Sequence, residues 1–174
     1  VGTRENPYSS LQVAANNNNA GIDIIRVVPN ADDSSTNLTV NGGLQLFDCQ
    51  VLLSSTKDFT LFSENGQDFI IPGQTTATGL GALISNPTIT AGGSVIQLAN
   101  ENVIAGMRID ASNAARTVFG TGVANALPIT DATLSMNTFQ NYVTGANLQD
   151  VTGYIVADMN TFNGLAGTSQ NGLV

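Results

Sequence analysis

The chain has no histidine, no tryptophan and a single cysteine among its 174 residues. Without histidine it cannot assemble a Ser-His-Asp or Cys-His nucleophilic centre, and it lacks the commonest transition-metal ligand. One cysteine excludes an intrachain disulfide and, with histidine missing, a structural zinc site. Cys49 lies in the apolar run Leu44-Gln-Leu-Phe-Asp-Cys49 and is expected to be a buried structural thiol.

Basic residues are almost as scarce. Arg4, Arg26, Lys57, Arg108 and Arg116 are scattered singly against thirteen acids, for a net charge of −8. No basic stripe forms, so nucleic acid is a poor partner and an anionic membrane surface is disfavoured. Charged residues make up only 10 % of the chain, against roughly 25 % in an average soluble domain. No apolar run approaches the ~18 residues of a membrane-spanning helix. The start is not basic-then-apolar, and Val1 is not an initiator methionine; the chain is expected to be processed or excised from something longer. Gly42-Gly43 and Gly92-Gly93 lack the lysine and following helix of a phosphate loop and read as turns.

What is present is a chain 42 % hydrophobic, wetted by Asn, Thr, Ser and Gln and punctuated by 18 glycines. That balance is typical of extracellular β-rich proteins, and a secreted or cell-surface location is the expectation. Length makes it a single domain over residues 1–174, with ample chain for a core. Residues 1–20 hold the one predicted helix. Asn6-Pro7 places an N-cap before a proline at the first helical position, and Tyr8, Leu11 and Ala15 share one apolar face. Asn16 to Asn19 end it, leaving a short helical lid over one end of a core.

From residue 21 onwards the pattern is short strands and turns. Ile22 to Val28 reads as a strand buried on both faces. Leu38-Thr-Val40, Leu44-Gln-Leu46, Val51-Leu-Leu53, Phe59-Thr-Leu-Phe62, Phe69-Ile-Ile71, Ile89, Val95-Ile-Gln-Leu98 and Val103-Ile104 continue the series. Asn41-Gly-Gly43, Glu64-Asn-Gly66, Pro72-Gly73 and Ala91-Gly-Gly93 separate them. Such spacing suits a sandwich, a barrel or a solenoid.

An internal repeat decides. Met136-Asn-Thr-Phe139 recurs as Met159-Asn-Thr-Phe162, and Ile104-Ala-Gly-Met-Arg-Ile109 sets the same apolar positions as Leu134-Ser-Met-Asn-Thr-Phe139. A period near two dozen residues, with extra length inserted at one place, is the signature of a β-solenoid. Stacked coils put like residues on like, so Asn137 is expected over Asn160 in an amide ladder at a turn. The predicted fold is therefore all-β: a right-handed parallel β-helix with a short N-terminal capping helix and coils over 21–174.

Two blocks carry a resemblance to a known family. The first is Gly2-Thr-Arg-Glu-Asn-Pro-Tyr8, the helix to Ala15, and Asp23-Ile-Ile-Arg-Val27. The second is Asn86-Pro-Thr-Ile89, Val95-Ile-Gln-Leu98 and Asn102-Val-Ile-Ala-Gly-Met-Arg-Ile109. Together they resemble the right-handed parallel β-helix proteins of the pectin-lyase-like superfamily, closest to bacterial surface and autotransporter-like β-helix regions. The resemblance is specific for fold and weak for activity. Asp48 stands where such proteins often have glycine, and no complete lyase signature is present.

Two chemistries survive the lack of histidine. Paired carboxylates can hydrolyse glycosides, and calcium with an arginine base can eliminate across acidic polysaccharides, as the resemblance implies. Candidate groups are Glu101, Arg108, Asp110, Asp131 and Asp158. Arg108 and Asp110 share one strand face beside Ile109 and read as a surface ion pair; Asp131 and Asp158 read as turn residues. Calcium at Asp32-Asp33 is the alternative to no cofactor, but two acids fall far short of about six to eight oxygens, and a solvated loop is expected. The Asn-Leu-Thr sequon at Asn37 matters only in a glycosylating host. No residue is assigned as catalytic, cofactor-binding or metal-ligating.

The expected function is an extracellular or cell-surface structural or adhesion module that displays loops. Its rival is a carbohydrate-active enzyme or glycan-binding module. Asn171-Gly-Leu-Val174 resembles the opening of another coil, to be covered by a continuation of the chain or another copy. The segments Ala111 to Leu127 and Gln74 to Leu83 are the loops expected to meet a surface protein or glycan.

Overall fold

A computed structural model of the chain describes residues 8, 10–17, 23–28, 37–54, 56, 58–61, 67–73, 80–164 and 170–174. It shows a parallel β-solenoid of five coils, each contributing one strand to each of three sheets. The predicted fold class stands.

The helix α1 (Leu11–Asn16) precedes the coils. Coil one is β1 (Ile24–Val27), β2 (Asn37–Thr39) and β3 (Leu44–Gln45). Coil two starts with β4 (Val51–Ser54), then carries β5 (Phe59–Leu61) and β6 (Phe69–Ile71) before β7 (Leu83–Ser85) and β8 (Ser94–Leu98). Coil three is β9 (Asn102–Ala105), β10 (Arg108–Asp110) and β11 (Thr121–Asn125). Coil four is β12 (Ile129–Ser135), β13 (Thr138–Gln140) and β14 (Thr144–Asn147). Coil five is β15 (Val151–Asp158), β16 (Thr161–Asn163) and β17 (Asn171–Leu173). The first strands of the coils make sheet A, the second sheet B and the third sheet C.

No coil can bury its own apolar side chains, so the core exists only by stacking. In sheet A, Leu52, Ile104 and Leu134 lie in register; in sheet B, Ile84, Ile109 and Phe139; in sheet C, Leu44, Ile96 and Val123. All nine are 1 % exposed or less. Each contributes about 1.5–3 kcal/mol by leaving water. The aligned repeat continues upward as Phe139 over Phe162, whose rings stack with centroids 4.9 Å apart and 6° between planes.

The corners need special backbone. Where sheet A passes to sheet B, Gly106, Met136 and Met159 occupy equivalent positions with φ of 69°, 55° and 50°. Left-handed backbone costs a non-glycine residue about 1–2 kcal/mol. The asparagine that follows in coils four and five offsets it. Asn137 accepts from Met107 N at 3.0 Å and donates to Ile104 O at 2.8 Å. Asn160 does the same to the coil below, accepting from Asn137 N and donating to Leu134 O. The expected amide ladder is present.

The helix is placed as a lid but begins later than predicted. Ser10, not Asn6, is the N-cap, its Oγ accepting from Val13 N at 3.2 Å; Asn6-Pro7 lies outside the described residues. Leu11 and Ala15 face the core. Gln12 accepts from Gln45 N and so covers an edge amide of β3, while Gln50 donates to the Ala15 carbonyl at 2.8 Å.

Other expectations are corrected. The strand at Ile22 to Val28 is described from Ile24 and is buried on one face only, with Ile24 and Arg26 outward. Phe59–Leu61 and Phe69–Ile71 do not belong to coils: they pair antiparallel as a hairpin inserted between β4 and β7. Phe59 and Ile71 cover a second apolar cluster on the outer face of sheet A, formed by Val51, Leu53, Val103 and Ala105. Extra chain also enters at more than one place. It lies between sheets A and B in coil two and between B and C in coil three, while the C-to-A corners stay short. Of the predicted 111–127 insertion, residues 111–120 form the protruding loop, closed by a bridge between Ser112 and Phe119; Thr121–Asn125 is β11 itself, and Ala126 and Leu127 belong to the short C-to-A corner. Of Gln74 to Leu83, residues 74–79 lie outside the described set, and Leu83 opens β7.

Candidate functional site

The acids nominated from the sequence do not converge. Asp110 and Arg108 flank the inward Ile109, but they do not bond to one another. Arg108 donates through Nε to the Gly81 carbonyl at 2.7 Å. Asp110 is buried at 6 % exposure, which corrects the surface-pair reading. Its Oδ1 accepts from Ser112 N at 3.1 Å and Ser112 Oγ at 2.7 Å, and its Oδ2 from Gln140 Nε2 at 3.1 Å and Asn141 Nδ2 at 2.9 Å. The guanidinium of Arg116, at the tip of the 111–120 loop, stands 3.8 Å away. A carboxylate with four short donors holds the loop to the next coil and has no lone pair positioned for substrate.

Glu101 and Asp131 lie instead on the C-to-A edge. Cys49, Glu101, Asp131 and Gly153 follow one another up it, with φ of 62°, 58°, 46° and 93°. Asp131 stands in a bulge of β12, not a loop turn, and its carboxylate accepts from Tyr154 N. Asp158 ends β15 and its carbonyl accepts from Met136 N. Asp48 accepts from Asn100 N and Nδ2, both at 3.0 Å. The Asp131 and Asp48 carboxylates satisfy backbone donors at coil corners, which is scaffold work. Among the described residues, no three His, Cys, Asp or Glu side chains gather to hold a metal. Asp32-Asp33 lies outside them.

Cys49 corrects another expectation. It sits at a corner with left-handed backbone, half-buried, and its thiol donates to the Glu101 carboxylate at 3.5 Å. Desolvation pushes the thiol up from its ordinary range, and the hydrogen bond and charge of Glu101, then Asp48, push it further. It is a less reactive thiol than a free one.

A concave feature lies elsewhere. A groove of about 530 Å³ runs over the outer face of sheet C and reaches from Gly42 on coil one to Asn147 on coil four. Its wall is the 86–93 loop between sheets B and C. Asn86 pins that loop, accepting from Gly42 N, Thr88 N and Thr88 Oγ1 and donating to Ser94 O. Its opposite rim is held by Asn125, which donates to Leu127 O and accepts from Gln149 N. The floor is two outward rows in register, Ser94 beside Thr121, and Gln97, Ala124, Asn147. No charged and no aromatic side chain lines it. Sequence reasoning missed this feature because Asn, Thr, Ser and Gln at turns carry no motif of their own.

No protein-family model matches the chain, and no curated protein and no solved structure matches it either. The class rests on the fold: this is a parallel β-solenoid repeat protein. No helix among the described residues is long and apolar enough to cross a membrane.

Proposed function

We propose that this solenoid is a structural or adhesive module of the cell surface, of the right-handed, pectin-lyase-like kind, and that it displays loops rather than performing chemistry. The observation that carries the reading is the engagement of Asp110, the most buried nominated acid, in four hydrogen bonds within the scaffold. Glu101, Asp131 and Asp158 serve corners on other edges of the stack. The scarcity of charge and the abundance of neutral polar side chains suit an extracellular surface.

Coil five supports a second part of this reading. From Thr152 to Asp158, β15 is exposed, as are Leu173 and Val174. A further layer of strands, from a continuation of the chain or another copy, would pair with that edge and cover those side chains.

The test has two arms. Intact source cells are treated with a non-permeant protease and the protein's peptides sought in the supernatant. Purified protein is incubated with pectate, alginate and neutral glucans, with and without calcium, and unsaturated and reducing ends are assayed. Shaved peptides without product formation are expected. Product that scales with protein, or protection from the protease until the cells are lysed, would overturn the proposal.

A further inference from the structure

We propose that the groove over the outer face of sheet C is a binding site for a neutral oligosaccharide lying along the stack. Its volume falls within the roughly 300–1,000 Å³ typical of small-ligand sites. The walls are fixed by internal bonds of Asn86 and Asn125. By contrast, the side chains of Ser94, Gln97, Thr121 and Asn147 hydrogen-bond to nothing among the described residues. Asn147 is the sharpest case: its Oδ1 is screened from solvent and has no partner. An acceptor left in that condition costs about 1–3 kcal/mol, a cost removed when the amide turns into the groove that Asn147 lines and takes a donor there.

The chemistry of the lining selects the ligand. Amides and hydroxyls donate and accept equally, as the hydroxyls of a sugar do. The absence of lysine and arginine leaves nothing to neutralise a uronate, sulfate or phosphate, and the net charge of −8 repels them. The absence of a large apolar anchor disfavours a peptide. Geometry agrees: Gln97, Ala124 and Asn147 present outward groups once per coil, a step of about 4.8 Å, comparable with one sugar ring in an extended chain. Ala124, being short, keeps the floor open between the two amides. With no aromatic platform beneath the rings, affinity should be low, with Kd on the order of 1 mM.

The experiment is an amide NMR titration of the whole 174-residue chain with cellohexaose, maltohexaose and mannohexaose, with hexagalacturonate as the charged control. At least one neutral hexaose should shift the resonances of Gln97, Thr121 and Asn147 while hexagalacturonate leaves them in place. Ala124→Arg fills the floor and should abolish those shifts. Asn147→Leu and Gln97→Ala should each weaken binding by roughly 3–10-fold, the value of one hydrogen bond. All three sites face outward, so a thermal midpoint close to the parent's shows that the fold is intact; the two milder variants carry the test should Ala124→Arg fail to fold. Silence to every neutral hexaose, shifts that map outside the groove, equal binding of hexagalacturonate, or binding indifferent to the variants would each overturn the proposal.

Discussion

Asn160 accepts two hydrogen bonds from Asn137 on the coil below, one from the backbone amide at 3.0 Å and one from the side-chain amide at 3.2 Å. The two residues stand 23 apart in sequence and occupy the same corner. Asn137 in turn serves Met107 and Ile104, and it is 1 % exposed. The ladder converts a strained left-handed corner into a joint between coils.

Replacing Asn137 by alanine leaves Met107 N buried without its acceptor and takes from the Ile104 carbonyl the donor it has besides the β9–β12 ladder. The expected cost is about 1–3 kcal/mol, that of one orphaned buried amide. Asn160→Ala, nearer the exposed coil five, should cost less. Urea denaturation monitored by circular dichroism gives both values. Equal losses, or a loss below about 1 kcal/mol for Asn137→Ala, would show that the ladder is not a joint.

A second test concerns the spacing of coils. Gly122 packs where a Cβ would stand 2.5 Å from the Gly145 carbonyl oxygen and 2.8 Å from Cδ1 of Phe139. The first obstacle is backbone, so repacking the ring cannot relieve it. Gly122→Ala should destabilise by about 1–3 kcal/mol, and adding Phe139→Leu should not restore stability. Gly92→Ala is a different case, because nothing lies within 4 Å of its Cβ. Its cost comes only from the φ of 79° and should be about 1–2 kcal/mol. Thermal denaturation of the three variants separates steric from conformational cost.

These details bear on what the sequence could reveal. Residues that recur in register, such as Met136-Asn-Thr-Phe139 and its copy, announce stacking because only a solenoid places like on like. The ladder followed from the same repeat. The hairpin of β5 and β6 did not, because alternating apolar residues look alike in a coil and in an excursion from it. What distinguishes Phe59 and Ile71 is their partner, the outer face of sheet A, and that face is apolar at Val51, Leu53 and Val103 only because the hairpin covers it. Ile24 misled in the same direction, an apolar residue that faces outward. Cys49 was misplaced because an apolar run does not show where a corner falls. The groove was invisible for a different reason. Its lining comes from four coils and is made of residues whose ordinary place is a turn.

The network at Asp110 gives a third prediction. Its carboxylate is buried and engaged by Ser112, Gln140 and Asn141, whereas Arg116 is 65 % exposed and 3.8 Å away. Asp110→Ala removes the acceptor for four donors and should cost about 2–4 kcal/mol, with lost hydrogen-exchange protection at Asn113 and Gly120. Arg116→Ala should cost no more than about 1 kcal/mol, as exposed ion pairs do. A larger loss for Arg116→Ala would mean that charge, not hydrogen bonding, holds the 111–120 loop.

Cys49 supplies the pH dependence. Desolvation, the hydrogen bond to Glu101 and the negative charges of Glu101 and Asp48 all favour the protonated thiol, so its folded pKa lies above the unfolded one. The folded protein therefore holds that proton more tightly. The resulting stability is fully present below the unfolded thiol pKa and is lost as pH rises through the folded one. Alkylation by iodoacetamide, followed by mass spectrometry across the alkaline range, should give a rate profile displaced to higher pH than that of the urea-unfolded chain. Glu101→Gln removes a charge and weakens the acceptor. It should move the profile back toward the unfolded one and raise the rate at mildly alkaline pH several-fold. Because the thiol is only half-buried, access is the same in both proteins, and the shift reports ionisation. A profile unchanged by Glu101→Gln would leave desolvation as the whole cause and remove Glu101 as the partner of the thiol.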